Sequence, residues 1–230
     1  DQLTWGPALC GVGSVYLTYN PDLAVPGAVE KVCLFTALAV ELGVRRLVLL
    51  SGRGEEAAQR AEQVVQGASA EWTILRCSWF CQNFSEGYLR DAVLGGEVVL
   101  PAGEVGEPFV DVEDIADAAV AALTEEGHVG KLYELTGPRL LTFAEAVEEI
   151  SRATGRKIHY VQVSPDAYAS ALKEKGVPAD FVWLLDYLFT TVLDGRNAQV
   201  TDGVQRALGR PPRDFSVYAR EAAAAGIWSD

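Results

Sequence analysis

The chain has 230 residues, 49% of them hydrophobic, and a formal net charge of -13. That length fits one domain or one plus a small lobe, and the apolar fraction is ample for a core. The acidity argues against nucleic acid or an anionic membrane surface as a partner, and no apolar run is long enough to span a bilayer.

Residues 4–9 read as the end of a helix. Gly11-Val12-Gly13 leads into a strand over 14–19. Those glycines precede a strand instead of joining a strand to a helix, so they mark a turn and not a dinucleotide fingerprint. After the loop Asn20-Pro21-Asp22, residues 25–42 form a long helix. Val29, Val32, Cys33, Leu38 and Leu42 make it apolar on most sides, hence well buried, and Gly43 caps it. A strand over 46–50 stops at Ser51-Gly52-Arg53-Gly54. A helix over 55–66 ends at Gly67, and a third strand covers 72–75. Strand, helix, strand, helix, strand at this spacing predicts βαβ units and a parallel sheet.

Residues 95–106 read as a hairpin-like segment. Residues 109–112 lead into a helix over 113–124, and a strand follows over 131–136. Thr142 and Glu145 form a capping box for the next helix. A strand over 159–163 meets Ser164-Pro165, an N-cap and first-turn pair. Pro178 opens a helix with Phe181, Leu184, Leu185, Leu188 and Phe189 on one face and Trp183 and Tyr187 on a neighbouring one. A short helix over 215–225 ends the chain. The four cysteines (Cys10, Cys33, Cys77, Cys81) all lie in apolar contexts, so buried thiols in a reducing, cytoplasmic setting are expected. His128 and His159 have no acids or thiols clustered about them, so no metal site is expected. Methionine is absent even at position 1, so the natural start is expected upstream of Asp1.

Chemistry concentrates in Trp72 to Phe84, WTILRCSWFCQNF. The first half is a strand buried on both faces. The second half sets Trp79, Phe80 and Phe84 beside Gln82 and Asn83 at the strand's carboxyl end, where open α/β sheets bind ligands. The same residues admit a packing reading, with the rings as core and Asn83 as a helix cap.

An arginine ending a strand, two aromatics and then Asn-Phe resembles the NmrA-like branch of the atypical short-chain dehydrogenases. The tract Phe109-Val110-Asp111-Val112-Glu113-Asp114-Ile115-Ala116 resembles that family's F-V-D-x-x-D-I-A segment. Tyr133-Glu134-Leu135-Thr136-Gly137-Pro138 resembles its Y-x-L-T-G-P tract, Glu62 its helical glutamate, and residues 201–211 its C-terminal segment. The resemblance implies an α/β, Rossmann-like doubly wound parallel sheet over 1–156, lacking its N-terminal strands. A small, mainly helical substrate lobe covers 157–230, with discontinuous contributions allowed. It implies NAD or NADP as cofactor, held by Thr18, Tyr19, Asn20, Pro21, Ser51, Gly52, Arg53, Cys77, Ser78, Trp79 and Phe80. The acceptor, a flat aromatic or quinone, would meet Asn83, Phe84, Tyr88, Phe109, Trp183 and Tyr187.

Two departures stand out. The family's phosphate-binding glycine motif has no counterpart, so the chain carries the nicotinamide half of the site. There is also no Tyr-x-x-x-Lys, so no proton donor is assigned. A quinone tolerates that loss, because its reduced form is a stabilised phenolate. The expectation is therefore an NAD(P)H-dependent oxidoreductase. A non-catalytic dinucleotide-binding redox sensor is the other reading that the missing pair permits. In the pocket reading, Trp183 and Tyr187 face Trp79, Phe80 and Phe84 across a flat cleft.

Overall fold

The computed structural model describes residues 2–229. In chain order they form α1 (Trp5–Leu9), β1 (Ser14–Leu17), α2 (Ala28–Glu41), β2 (Arg46–Gly52), α3 (Glu56–Gln66), β3 (Glu71–Cys77), α4 (Arg90–Gly95) and β4 (Glu97–Leu100). There follow α5 (Val112–Thr124), β5 (Lys131–Leu135), α6 (Phe143–Thr154), β6 (His159–Gln162), α7 (Pro165–Glu174), α8 (Ala179–Tyr187), α9 (Gly203–Leu208) and α10 (Phe215–Ala224). The chain divides into two compact units.

The first, the sheet unit, comprises residues 2–77, 115–135 and 202–210. Its four strands run parallel in the order β1-β2-β3-β5. The βαβ spacing requires this, because a parallel neighbour is reached only by a crossover. Leu47, Leu49 and Ile74 from the strands meet Val32, Ala39, Ala58, Ala61 and Val65 from α2 and α3 in one apolar cluster.

Helix α2 departs from expectation. It starts at Ala28, after Gly27 at φ 83°, and not at Val25. It is also amphipathic rather than buried on most sides. Ala28, Val32, Thr36 and Ala39 form a single inward stripe, while Leu34 is 54% exposed and Cys33 faces solvent. Cys10 is exposed as well, so only Cys77 and Cys81 are the buried thiols expected of all four. Local apolar context cannot say which side of a helix has a neighbour.

The second, the aromatic unit, comprises residues 78–114, 136–201 and 211–229. The hairpin expected at 95–106 is absent. Strand β4 instead pairs in parallel with β6, from Glu97↔His159 to Leu100↔Gln162. Two local signals hold. Thr142 and Glu145 make both halves of the capping box, and Ser164 caps α7 ahead of Pro165. Gly137 is required by contact: a Cβ there would lie 2.1 Å from the Phe109 carbonyl oxygen. The core is built from Phe84, Phe109, Phe143, Phe215, Ile150 and Trp228.

Candidate functional site

In the sheet unit, register brings the strand ends together. Ser51 pairs with Arg76 and Gly52 with Cys77, so the β2 and β3 ends open at one edge as expected. After β1, Thr18, Asn20 and Pro21 are exposed and Tyr19 is half-buried. The Lys31 ammonium stands 5.8 Å over the Tyr19 ring.

The β2 end is different, because its polar groups are already engaged. The Ser51 hydroxyl donates to Glu62 Oε1 at 2.6 Å. Arg76 Nε donates to the same oxygen at 2.9 Å, and a second guanidinium nitrogen grips Glu62 Oε2. Arg76 also reaches Glu134 Oε1 at 3.0 Å, while Glu134 Oε2 takes Arg53 Nε at 3.5 Å. Two arginines and two glutamates thus neutralise one another. The Cys77 thiol is held up in pKa by its burial.

Beside this network, the Glu55 carboxyl folds back onto the main chain of Gly52. A Cβ on Gly52 would lie 2.0 Å from Glu55 Oε1, so any larger residue there would displace the Glu55 side chain. Burial pushes the Glu55 carboxyl well up, and hydrogen-bonded Asp22 and nearby Glu62 add to that. The ionised form of Glu55 is thereby disfavoured.

In the reduced form, the nicotinamide and ribose end of a dinucleotide is polar and uncharged. The open hydroxyl, amide and ring of Thr18, Asn20 and Tyr19 fit that chemistry. Phosphates ask for cations or helix N-termini, and Arg53, the cation in the expected set, is paired with Glu134. The residues present therefore fit the nicotinamide end of the group.

In the aromatic unit, the segment after β3 is extended. Val110 N donates to the Trp79 carbonyl and Cys81 N to the Val110 carbonyl, both at 2.9 Å, with Phe80 bridged to Val110. Ser78 is buried. Gln82 is tied down at the start of α5. Its amide donates to Asp111 Oδ1 at 2.7 Å, and its oxygen accepts from Val112 N at 2.9 Å. Asn83 is half-buried, against a tight turn at Gly87.

The rings separate into two sets. Phe84 and Phe109 lie 5.8 Å apart inside the core, 0% and 2% exposed, each also touching Phe143 and Phe215. Around that core stand half-buried rings. Trp79 packs 5.1 Å from both Phe143 and Phe189. Tyr168 meets Phe189 edge-on at 5.8 Å, and Tyr88 meets Phe181 at 6.2 Å. Trp183 stacks on Tyr187 at 5.5 Å with the planes 2° apart, and stays 44% exposed. Phe189 and Phe181 are thus the lobe rings in contact with Trp79 and Tyr88. Sequence reasoning assigned Phe181 and Phe189 to the packing stripe of a helix and gave Tyr168 no role. Their only sequence signal was the density of rings after residue 160.

A groove of about 670 Å³ lies at the other end of the same sheet, lined by Val40, Gly43, Arg45, Ser69, Trp72 and Val129. That is the amino end of β2 and β3, opposite the edge where α/β sheets bind ligands.

No protein-family model matches the chain. Individual proteins do. It is 30% identical over 223 residues to the prestalk A differentiation protein A of Dictyostelium discoideum, covering 96% of this chain and 73% of that protein. It is 31% identical over 234 residues to the NAD(P)H azoreductase of Xenophilus azovorans, covering 98% and 80%. Among solved structures, the triphenylmethane reductase of Citrobacter sp. superposes with a TM-score of 0.79 at 22% identity, covering 97% of this chain and 80% of that one. An Escherichia coli NADPH-dependent quinone oxidoreductase gives 0.80 at 21%, covering 96% and 80%. NmrA, a negative transcriptional regulator solved with NAD, gives 0.65 at 17%, covering 97% and 78%. The parallel sheet with its polar strand edge is that of a Rossmann-type dinucleotide-binding protein. Within that class, the chain belongs to the NmrA-like family of atypical short-chain dehydrogenases.

Proposed function

We propose that the protein is an NAD(P)H-dependent oxidoreductase acting on a flat conjugated acceptor, such as a quinone or polycyclic aromatic. The observation that carries this reading is the ring set Trp79, Tyr88, Tyr168, Phe181 and Phe189. Four of the five are only partly buried, although all pack on a finished core. Rings left half-open beside a full core offer a planar ligand stacking surfaces that packing alone does not use.

We assign the dinucleotide to the sheet unit, at Thr18, Tyr19, Asn20 and Pro21 with Gly52 behind them. When bound, it supplies the hydride. Ser51, Arg53 and Cys77 support that edge from within, and Ser78 and Phe80 continue the chain beyond it. The acceptor belongs to the aromatic unit. There the lobe after residue 157 supplies Tyr168, Phe181 and Phe189, with Trp183 and Tyr187 further out. Trp79, Asn83 and Tyr88 are the discontinuous contribution, and Phe84 and Phe109 buttress them. The names of relatives support the acceptor class: an azoreductase, a triphenylmethane reductase and a quinone oxidoreductase. Among the described residues no helix is long and apolar enough to cross a membrane. A reducing cytoplasmic setting suits both the coenzyme and the free cysteines.

The test is oxidation of NADH and NADPH, followed by absorbance, with a panel of quinones, azo dyes and triphenylmethane dyes that includes 9,10-phenanthrenequinone. Turnover is expected with at least one planar acceptor. Tight dinucleotide binding without turnover of any acceptor would favour a redox sensor, the role suggested by likeness to the regulator NmrA.

A further inference from the structure

Tyr88 is the feature that neither packing nor the strand edge explains. Its hydroxyl is shut off from solvent and has no hydrogen-bond partner among the described residues. Buried polar groups in native proteins are almost always paired, and each exception asks for a reason. The backbone that carries the ring is fixed. Gly87 N donates to the Gln82 carbonyl at 3.1 Å and Leu89 N to the Asn83 carbonyl at 3.2 Å, so the backbone is pinned on both sides. The Phe181 ring stands edge-on to it.

We infer that the Tyr88 hydroxyl donates a hydrogen bond to a carbonyl or quinone oxygen of the bound acceptor, with Tyr168 as a second donor from the same ring set. This rests on the oxidoreductase reading above and names the atom of the acceptor that is recognised. The surroundings fit a donor. Burial raises the Tyr88 phenol well above its usual pKa, with Tyr168 close enough to add to the shift. Burial also pushes Tyr168 up to about 12. Both phenols therefore keep their protons at neutral pH and can only donate to an acceptor's oxygen. As hydride reaches a conjugated carbonyl system, negative charge grows on its oxygen. A donor fixed in an apolar site stabilises that charge more than it stabilises the ground state. Tyr88 retains its own proton throughout. It is a binding and specificity residue, and the missing tyrosine–lysine acid is not replaced by it.

Burial without a partner also makes the inference testable. Removing an orphan hydroxyl costs the fold nothing, whereas removing a ligand's donor costs affinity. The experiment titrates intrinsic tryptophan fluorescence with 9,10-phenanthrenequinone and with phenanthrene, the same ring frame without oxygens. Wild type, Tyr88→Phe and Tyr168→Phe are compared, and each protein is also melted. Wild type is expected to prefer the quinone by about tenfold, the scale of one hydrogen bond. Tyr88→Phe is expected to lose most of that preference, with phenanthrene affinity unchanged and a melting temperature equal to or above wild type. Tyr168→Phe is expected to lose a smaller part. A Tyr88→Phe protein that keeps the preference overturns the inference. So does one that melts well below wild type, because the hydroxyl then has a partner in the fold. Wild type that reduces quinones yet binds the two probes equally defeats the Tyr88 assignment alone. Wild type that binds neither and turns over no acceptor defeats the oxidoreductase reading with it.

Discussion

In the sheet unit, Ser51, Arg53, Glu62, Arg76 and Glu134 satisfy one another in a closed network at a strand end. In the aromatic unit, Trp79, Tyr88, Tyr168 and Phe181 stand half-open, and the Tyr88 phenol among them is buried with nothing to bond. A satisfied network holds a backbone edge in place. An unsatisfied hydroxyl among rings leaves binding potential for a ligand to use. The difference teaches that a charged network closes on itself here, whereas the aromatic surface stays open to the recognition proposed above.

The contrast inside the aromatic unit gives the largest expected effect. Phe143 touches Trp79, Phe84, Phe109 and Phe189 and is fully buried. Phe143→Ala should cost about 3–5 kcal/mol, a melting shift of roughly ten degrees for a chain of this size. Trp183→Ala, on the exposed stack, should cost less than about 1 kcal/mol. Equal losses in the two melts would erase the division between core rings and open rings.

Next comes the charge network. Glu62 is buried and holds both Ser51 and Arg76, so Glu62→Ala leaves an arginine short of its partner. Breaking a buried pair costs about 3–5 kcal/mol. Here the cost should fall at or just below the lower end, because Arg76 is partly exposed and retains Glu134. A denaturant melt unchanged from wild type would show that the network is ornamental.

The smallest effect is a slope. Glu55 keeps its proton in the fold at pH values where the unfolded chain has released it, so the folded state binds more protons. Its contribution therefore makes stability fall as pH rises from about 4.5, the ordinary value, through its raised folded pKa. Glu55→Gln should remove that decline and be at least as stable as wild type at pH 8, with no advantage at pH 4. Melts at pH 4, 6 and 8 measure this. A decline that survives the substitution would mean that Glu55 does not hold the proton.

Much of the fold was legible in the sequence. The alternation of buried strands with capped helices required a parallel sheet. Thr142 with Glu145, and Ser164 with Pro165, marked helix starts that the structure reproduces. These signals are local: a cap bonds a backbone group three residues away, and a buried strand shows its burial in its own composition. The Ser51 and Cys77 strand ends were placed correctly for the same reason.

Tertiary structure alone decided the partners. The β4 segment could not announce a parallel partner 62 residues away in β6, because a four-residue strand carries no mark of what it pairs with. Helix α2 could not show which of its apolar sides lacked a neighbour. Trp183 and Tyr187 share a helix face, and that much the spacing fixes. Whether that face meets Trp79 or solvent depends on how α8 and the turn after it pack, and there Phe181 and Phe189 turn inward. Residue type and spacing determine what a segment can form, while contacts between segments distant in sequence decide which of its faces are used.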